Sequence, residues 1–357
     1  MNAFIERRGV FAGVPPALSW RWLLMGAALP ASMLVALCIG RYPLPLSHVA
    51  AMLLDACLPA GGHGWLAAGG DVERRILFQV RLPRVLLGAL VGAGLAMCGS
   101  TLQGMFRNPL VGPQILGISS GASFGGCLSI LLFSSLTATL GMSFAGGLVA
   151  VAIVYMLGRV QRRTTMLMLL LAGVVSSGFF SALTSMVTYF ADPNDTLPAM
   201  VFWLMGSFAT ASYAKLAAAA VPALAGMGLF YALRFRINVL SLGDEQAAAL
   251  GLAVEPLRWV LLACTALVTS ASVAVSGTVG WVGLVVPYIA RLFVGADQRR
   301  QLPAAALVGG AYMVLVDTAA RSLTSAEIPL GVITALLGAP LFVVLLRRAR
   351  RKDPGHD

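Results

Sequence analysis

Three histidines, His48, His63 and His356, are the chain's only imidazoles, and none has a second histidine or cysteine at a metal-ligand spacing. A pair such as His-Glu-x-x-His, which would set two imidazoles on one helix face, does not occur. All three lie outside the apolar runs, so no serine within a run gains an imidazole base. Haem ligation by His48 or His63 is the minor alternative. The cysteines, Cys38, Cys57, Cys98, Cys127 and Cys264, show no CxxC spacing, and four sit in apolar runs. They read as small core residues without a redox or metal role. Nucleotide chemistry is equally unsupported. The only lysines are Lys215 and Lys352, neither follows a glycine, and a G-x-x-x-x-G-K-[ST] phosphate loop is therefore excluded. Asp317 is the one acid well inside an apolar run. An intramembrane acid is functional by default and could couple an ion in a secondary transporter. Arg321 stands one turn away, and a local ion pair is the simpler reading. No cofactor or metal is expected on this chain.

The elements that carry these residues are unambiguous in type. Of 357 residues, 59% are apolar and 11% charged, against roughly 25% charged in a soluble domain. Such a chain cannot cover a water-facing surface, and in lipid its apolar runs must be helices. The net charge of +11 is dispersed between the runs, which fits membrane topology and not nucleic-acid binding. Arg7 and Arg8 precede the first run without a small-residue cleavage site, so Trp22 to Ile39 reads as a retained helix.

Ten spans are expected, at about 20–40, 82–105, 113–133, 142–158, 165–189, 212–233, 258–276, 279–293, 303–321 and 330–346. A polar outer stretch, 41–79, follows the first, and the apolar piece 198–210 reads as a partial or re-entrant helix. The whole is an all-α polytopic bundle in one domain, 1–357. Segments 1–19, 237–257 and 347–357 share one side with Arg107, Arg159–Arg163, Arg234, Arg236, Arg299 and Arg300; Asp55, Asp71, Glu73, Asp192, Asp195 and Glu327 share the other. Basic loops are cytoplasmic, so both termini are expected inside. A faint echo, Arg84-Val-Leu-Leu against Arg258-Trp-Val-Leu-Leu, suggests two inverted halves.

Two stretches stand out. Gly117, Ser119, Ser120, Gly121, Ala122, Ser123, Gly125 and Gly126 crowd the third span, as a packing face or as a pathway wall with room for a bulky solute. The 237–257 stretch mixes Asp244, Glu245 and Gln246 with Val239, Leu240, Leu242, Ala247, Leu250 and Leu252 at helical spacing. Acids suit a first turn and Gly251 a stop, so short amphipathic helices are expected on the cytoplasmic face, as a connector or a docking knob.

Five segments carry a resemblance: Arg81-Leu-Pro-Arg84; Arg107-Asn-Pro-Leu110 with Leu116-Gly-Ile-Ser-Ser-Gly-Ala122; Leu242-Gly-Asp-Glu245 with Leu250-Gly251; Gly280 to Pro287; and Ile328 to Pro340. In type and order they resemble the iron-siderophore, haem and cobalamin permeases of type II ABC importers. That resemblance implies a homodimer with a path on its axis, two cytoplasmic ATPases that bind ATP and Mg, and a periplasmic binding protein, all at a bacterial inner membrane. It implies that Leu242, Gly243, Asp244, Glu245, Ala247, Leu250 and Gly251 form the ATPase-coupling loop, and that Arg81, Arg84 and Arg321 face the periplasm and dock the binding protein. With no partner evident in their own chain, those arginines are expected exposed at outer helix ends. The gate is placed near Thr164, Thr165, Met166 and Leu167, and Ser119, Ser120 and Ser123 are path candidates. Tyr288 departs from the family's usual histidine. The solute expected is a ferric siderophore or haem, with cobalamin or an oxyanion as alternatives.

Overall fold

Apolar runs without charge close their hydrogen bonds internally, and the computed structural model turns each into a helix. It describes residues 20–57, 70–133, 135–158, 166–324 and 326–352, and every regular element among them is helical. The helices are α1 (Trp20–Cys38), α2 (Leu46–Cys57), α3 (Asp71–Phe106), α4 (Ile118–Phe133), α5 (Leu136–Gly158), α6 (Met166–Tyr189), α7 (Thr196–Met205), α8 (Tyr213–Ala232), α9 (Arg234–Leu240), α10 (Asp244–Ala249), α11 (Val254–Ser276), α12 (Val282–Val294), α13 (Gln298–Ser322) and α14 (Leu330–Lys352). Seven of these, α1, α3, α5, α6, α8, α11 and α13, are long and apolar enough to cross a membrane. The shorter apolar α4, α12 and α14 complete the ten expected spans. Segment 1–19, residues 353–357 and the basic cluster Arg159–Arg163 lie outside the described residues.

Several bounds differ from expectation. The outer stretch 41–79 is not one loop: it holds α2 and the first turns of α3. The span expected from about 82 begins earlier, at Asp71 of α3, and passes through a π-helical segment, Ile76–Arg81. Its 36 residues span about 54 Å at 1.5 Å each, well beyond a ~30 Å hydrocarbon core, so one end projects. The 198–210 piece becomes α7, which stops at Gly206.

Helices α3, α11 and α13 form the buried centre. Without a hydrophobic drive in lipid, close backbone approach supplies the packing. A Cβ on Gly92 would strike the Gly309 carbonyl, and one on Gly99 would strike that of Gly283 on α12. Helices α3 and α11 run antiparallel, with Gly94 against Val268 and Cys98 against Thr265 and Thr269. The ends of α7 and α11 meet where Gly206 and Gly277 take φ of +77° and +69°. There Ser207 donates to the Ser276 carbonyl (2.8 Å) and Leu330 to that of Gly206 (2.9 Å), joining three broken helix ends.

Candidate coupling loop and outer arginine cluster

The 237–257 stretch folds as two short helices, as its pattern implied. Ile237 and Leu240 of α9 and Ala247 of α10 point inward. Gly243 turns the chain at φ +127°, a value that disfavours a side chain, and Asp244 and Glu245 then occupy the first turn of α10. Gly251, at φ +80°, ends it before α11 begins at Val254. Arg258 fixes the pair. Its guanidinium is 1% exposed and bonds Asp244 (2.8 Å) and Glu255 (3.3 Å), so α10 is held against the base of α11. With Ile237, Leu240 and Ala247 inward, Leu242 (57% exposed) and Leu250 (67%) project from the turns on either side of α10. Two large apolar side chains raised on a clamped loop suit insertion into a partner's cleft.

Behind this loop runs a buried amide relay that sequence reasoning missed. The Asn238 side chain accepts from the backbone N–H of Gln298 at the start of α13 (2.9 Å). The Gln298 carbonyl accepts from Ser100 on α3 (3.1 Å), and its amide donates to Gln301 (3.3 Å). Gln301 in turn donates to the Pro287 carbonyl of α12 (3.3 Å). Gln103 adds bonds to the Pro109 and Leu284 carbonyls, both at 3.0 Å. Buried glutamines between polar loops and spans were the available signal, but their partners lie on other helices. Replacing Gln298 by the similarly sized methionine keeps the volume and leaves its partners unsatisfied. It is expected to cost about 1–3 kcal/mol of stability, read as a lower unfolding midpoint of the detergent-solubilised protein.

At the opposite end the arginines correct the expectation. Arg81, Arg84 and Arg321 are 4%, 7% and 8% exposed, not free guanidiniums at the surface. Arg81 donates to the Leu37, Cys38 and Tyr42 carbonyls, and Arg321 to that of Ala36, so both satisfy the open C-terminus of α1. Gly40 leaves room for them, since a Cβ there would sit 2.7 Å from Arg81 Nη2. Arg84 clasps two carboxylates, with Nε and Nη2 on Asp317 (2.9–3.1 Å) and Nη1 and Nη2 on Glu327 (3.0 Å). The local pair expected of Asp317 exists but is the looser contact, at 3.8 Å from Arg321 Nε. Burial opposes the charge of Glu327, yet Arg84's hydrogen bond and charge outweigh it and hold that carboxyl below its usual range. The echoed residues Arg84 and Arg258 thus stand at opposite ends of antiparallel helices, each between two acids.

The profile of the FecCD transport family matches residues 28–348. The chain belongs to that family. The molybdate import system permease MolB of Haemophilus influenzae is 43% identical over 89% of this chain and 92% of its own. A Helicobacter pylori permease named for an iron chelatin transport system is 42% identical over 77% and 83%. A solved inward-facing ABC transporter assigned to the metal-chelate type superposes with TM-score 0.81 at 41% identity, covering 91% of this chain and 98% of that one. The protein is a multi-pass permease of an ABC importer.

The remaining candidates fall unevenly within this FecCD chain. The small-residue face is spent largely on packing: Gly121 and Gly125 lie against the Gly146 and Met142 carbonyls of α5, and Gly126 against the Trp203 ring. Ser119 and Ser120 are half-buried, and Ser123 donates to the Ser119 carbonyl (2.7 Å). Thr164 and Thr165 lie outside the described residues, whereas Met166 and Leu167 open α6, with Leu167 exposed. Tyr288 is half-buried on α12 beside Pro287. His48 Nδ1 lies 2.8 Å from Glu73 Oε2 and ties α2 to α3; His63 and His356 are outside the described residues.

Proposed function

We propose that the chain works as a homodimer that passes an iron chelate, a ferric siderophore or haem, from a periplasmic binding protein to the cytoplasm, driven by two ATPase subunits that hold ATP and Mg. The observation that carries the coupling part is the exposed pair Leu242 and Leu250 on a loop clamped by Arg258. Gly243, Asp244, Glu245, Ala247 and Gly251 shape that loop for an ATPase cleft. Both termini and this loop lie on the cytoplasmic side of an inner membrane, as the basic loop residues favour.

Docking of the binding protein keeps Arg81, Arg84 and Arg321, but in a different role. They stiffen the outer face from beneath, and the exposed Arg74 and Arg75, ahead of them on α3, meet the partner's carboxylates. Solute passes on the dimer axis, with Ser119, Ser120 and Ser123 along the wall and Thr164, Thr165, Met166 and Leu167 at the inner gate.

Similarity to the iron chelatin permease supports the iron chelate. The 43% identity with the molybdate permease supports a second reading, an oxyanion. Thermal-shift titration of the cognate binding protein against ferric siderophores, haem, cobalamin and molybdate decides between them. Stabilisation by a ferric chelate or haem is expected, and stabilisation by molybdate alone would replace the iron reading.

A further inference from the structure

Lys215 is the only lysine inside an apolar run, three residues into α8 and near the end opposite Arg234 and Arg236. A lysine at a helix end ordinarily snorkels to water. This one is 7% exposed and instead lines a half-open cavity of about 610 Å³ bordered by α5, α7, α8 and the ends of α4 and α11. Among the described residues its ammonium has no ion-pair partner, and its hydrogen bond is to Thr210 Oγ1 at 2.6 Å. Asp195 stands on the same cavity wall without forming a salt bridge to it. A buried cation lacking a counter-charge is costly in an apolar slab and is retained where an anion completes it.

The neighbouring hydroxyls are arranged for the same ligand. Thr210 Oγ1 accepts from the ammonium, and Ser207 Oγ accepts from the Ala209 N–H (3.0 Å), so each keeps its O–H to donate. Three donors thereby border one cavity whose remaining wall includes Trp203 and Val275.

We propose that this cavity is an anion-binding site in the outer half of the subunit, where Lys215, Thr210 and Ser207 hold the oxygens of an oxyanion group. Two sources share that chemistry: a soluble oxyanion and the phosphate of a phospholipid headgroup. The site stands on the cavity and its donors, whichever solute the importer carries.

The test uses the full chain purified in neutral detergent, with Ala199→Cys placing a thiol in the cavity wall. Labelling by an uncharged maleimide is followed against the chain without that substitution, which accounts for the native cysteines. Sodium molybdate or phosphatidylglycerol should slow labelling at least fivefold. Lys215→Arg should keep the protection, and both Lys215→Met and the paired Ser207→Ala, Thr210→Val should abolish it with unprotected rates unchanged. Protection by molybdate identifies a soluble oxyanion, and protection by phosphatidylglycerol alone identifies the lipid headgroup. No protection by either, or protection that survives in the Lys215→Met and Ser207→Ala, Thr210→Val chains alike, overturns the site.

Discussion

Replacing Asp317 by leucine should destabilise the protein by about 3–5 kcal/mol, the cost of breaking a buried ion pair from one side. Asp317 is 2% exposed and accepts from Arg84 through both oxygens, with Arg321 at 3.8 Å. Without it, Arg321 loses its nearest carboxylate, and Arg84 keeps only Glu327 on the more exposed side. The uncompensated charge, not the lost attraction, dominates the effect. Removing both partners, Arg84→Met with Asp317→Leu, should therefore cost less than the sum of the single changes, by 0.5–3 kcal/mol in the usual range for contacting groups. Denaturant titration of the solubilised protein reads all three variants. Strict additivity would show that Arg84 and Asp317 are not coupled. Because Arg81 and Arg321 also close the end of α1, the Asp317 variant should lose protection from proteolysis first around Gly40, where α1 ends.

The second large effect is expected at the 237–257 loop. Leu250→Glu places a charge on the side chain that stands 67% exposed beside α10, where burial in a partner would otherwise occur. An anchor of this kind contributes on the order of 2 kcal/mol to an interface, roughly a thirtyfold change in affinity. Membrane insertion and the unfolding midpoint should be unchanged, since Leu250 touches little of its own chain. Co-purification of the ATPase should fall in proportion, and solute uptake with it. Arg258→Met should act differently: it removes the bonds to Asp244 and Glu255 and loosens the whole loop, so stability and uptake fall together. Undiminished ATPase association in the Leu250→Glu chain would remove this loop from the interface.

What could be read from the residues alone followed from distance along the chain. The ten spans are local properties of run length, and the 237–257 loop is local too: Gly243, the acids at 244–245 and Gly251 all act within one or two turns. Long-range pairing was not legible. Asp317 sits beside Arg321 in sequence, yet its main partner is Arg84, 233 positions away. The outer arginines were misjudged for a specific reason. Arg81 and Arg84 share one face at the end of a span expected to begin at about 82, and the sequence offers them no partner at helical spacing. The π-helical segment before Pro83 instead carries the helix through, and Arg81 turns back onto the carbonyls of α1. Likewise α2 escaped notice because it is short and its neighbours are proline, glycine and charge. The glutamine relay was hidden because four separate helices contribute to it, and no local spacing links Asn238, Gln298, Ser100 and Pro287.

The central claim, a permease powered by a partner's ATP hydrolysis through the 237–257 loop, is tested most directly by uptake into proteoliposomes. The chain is reconstituted alone, with its ATPase, and with both ATPase and loaded binding protein. Uptake should appear only in the complete assembly, require ATP, and fall at least tenfold with Leu250→Glu. Uptake by the chain alone, driven by an imposed ion gradient and indifferent to ATP, would contradict the account.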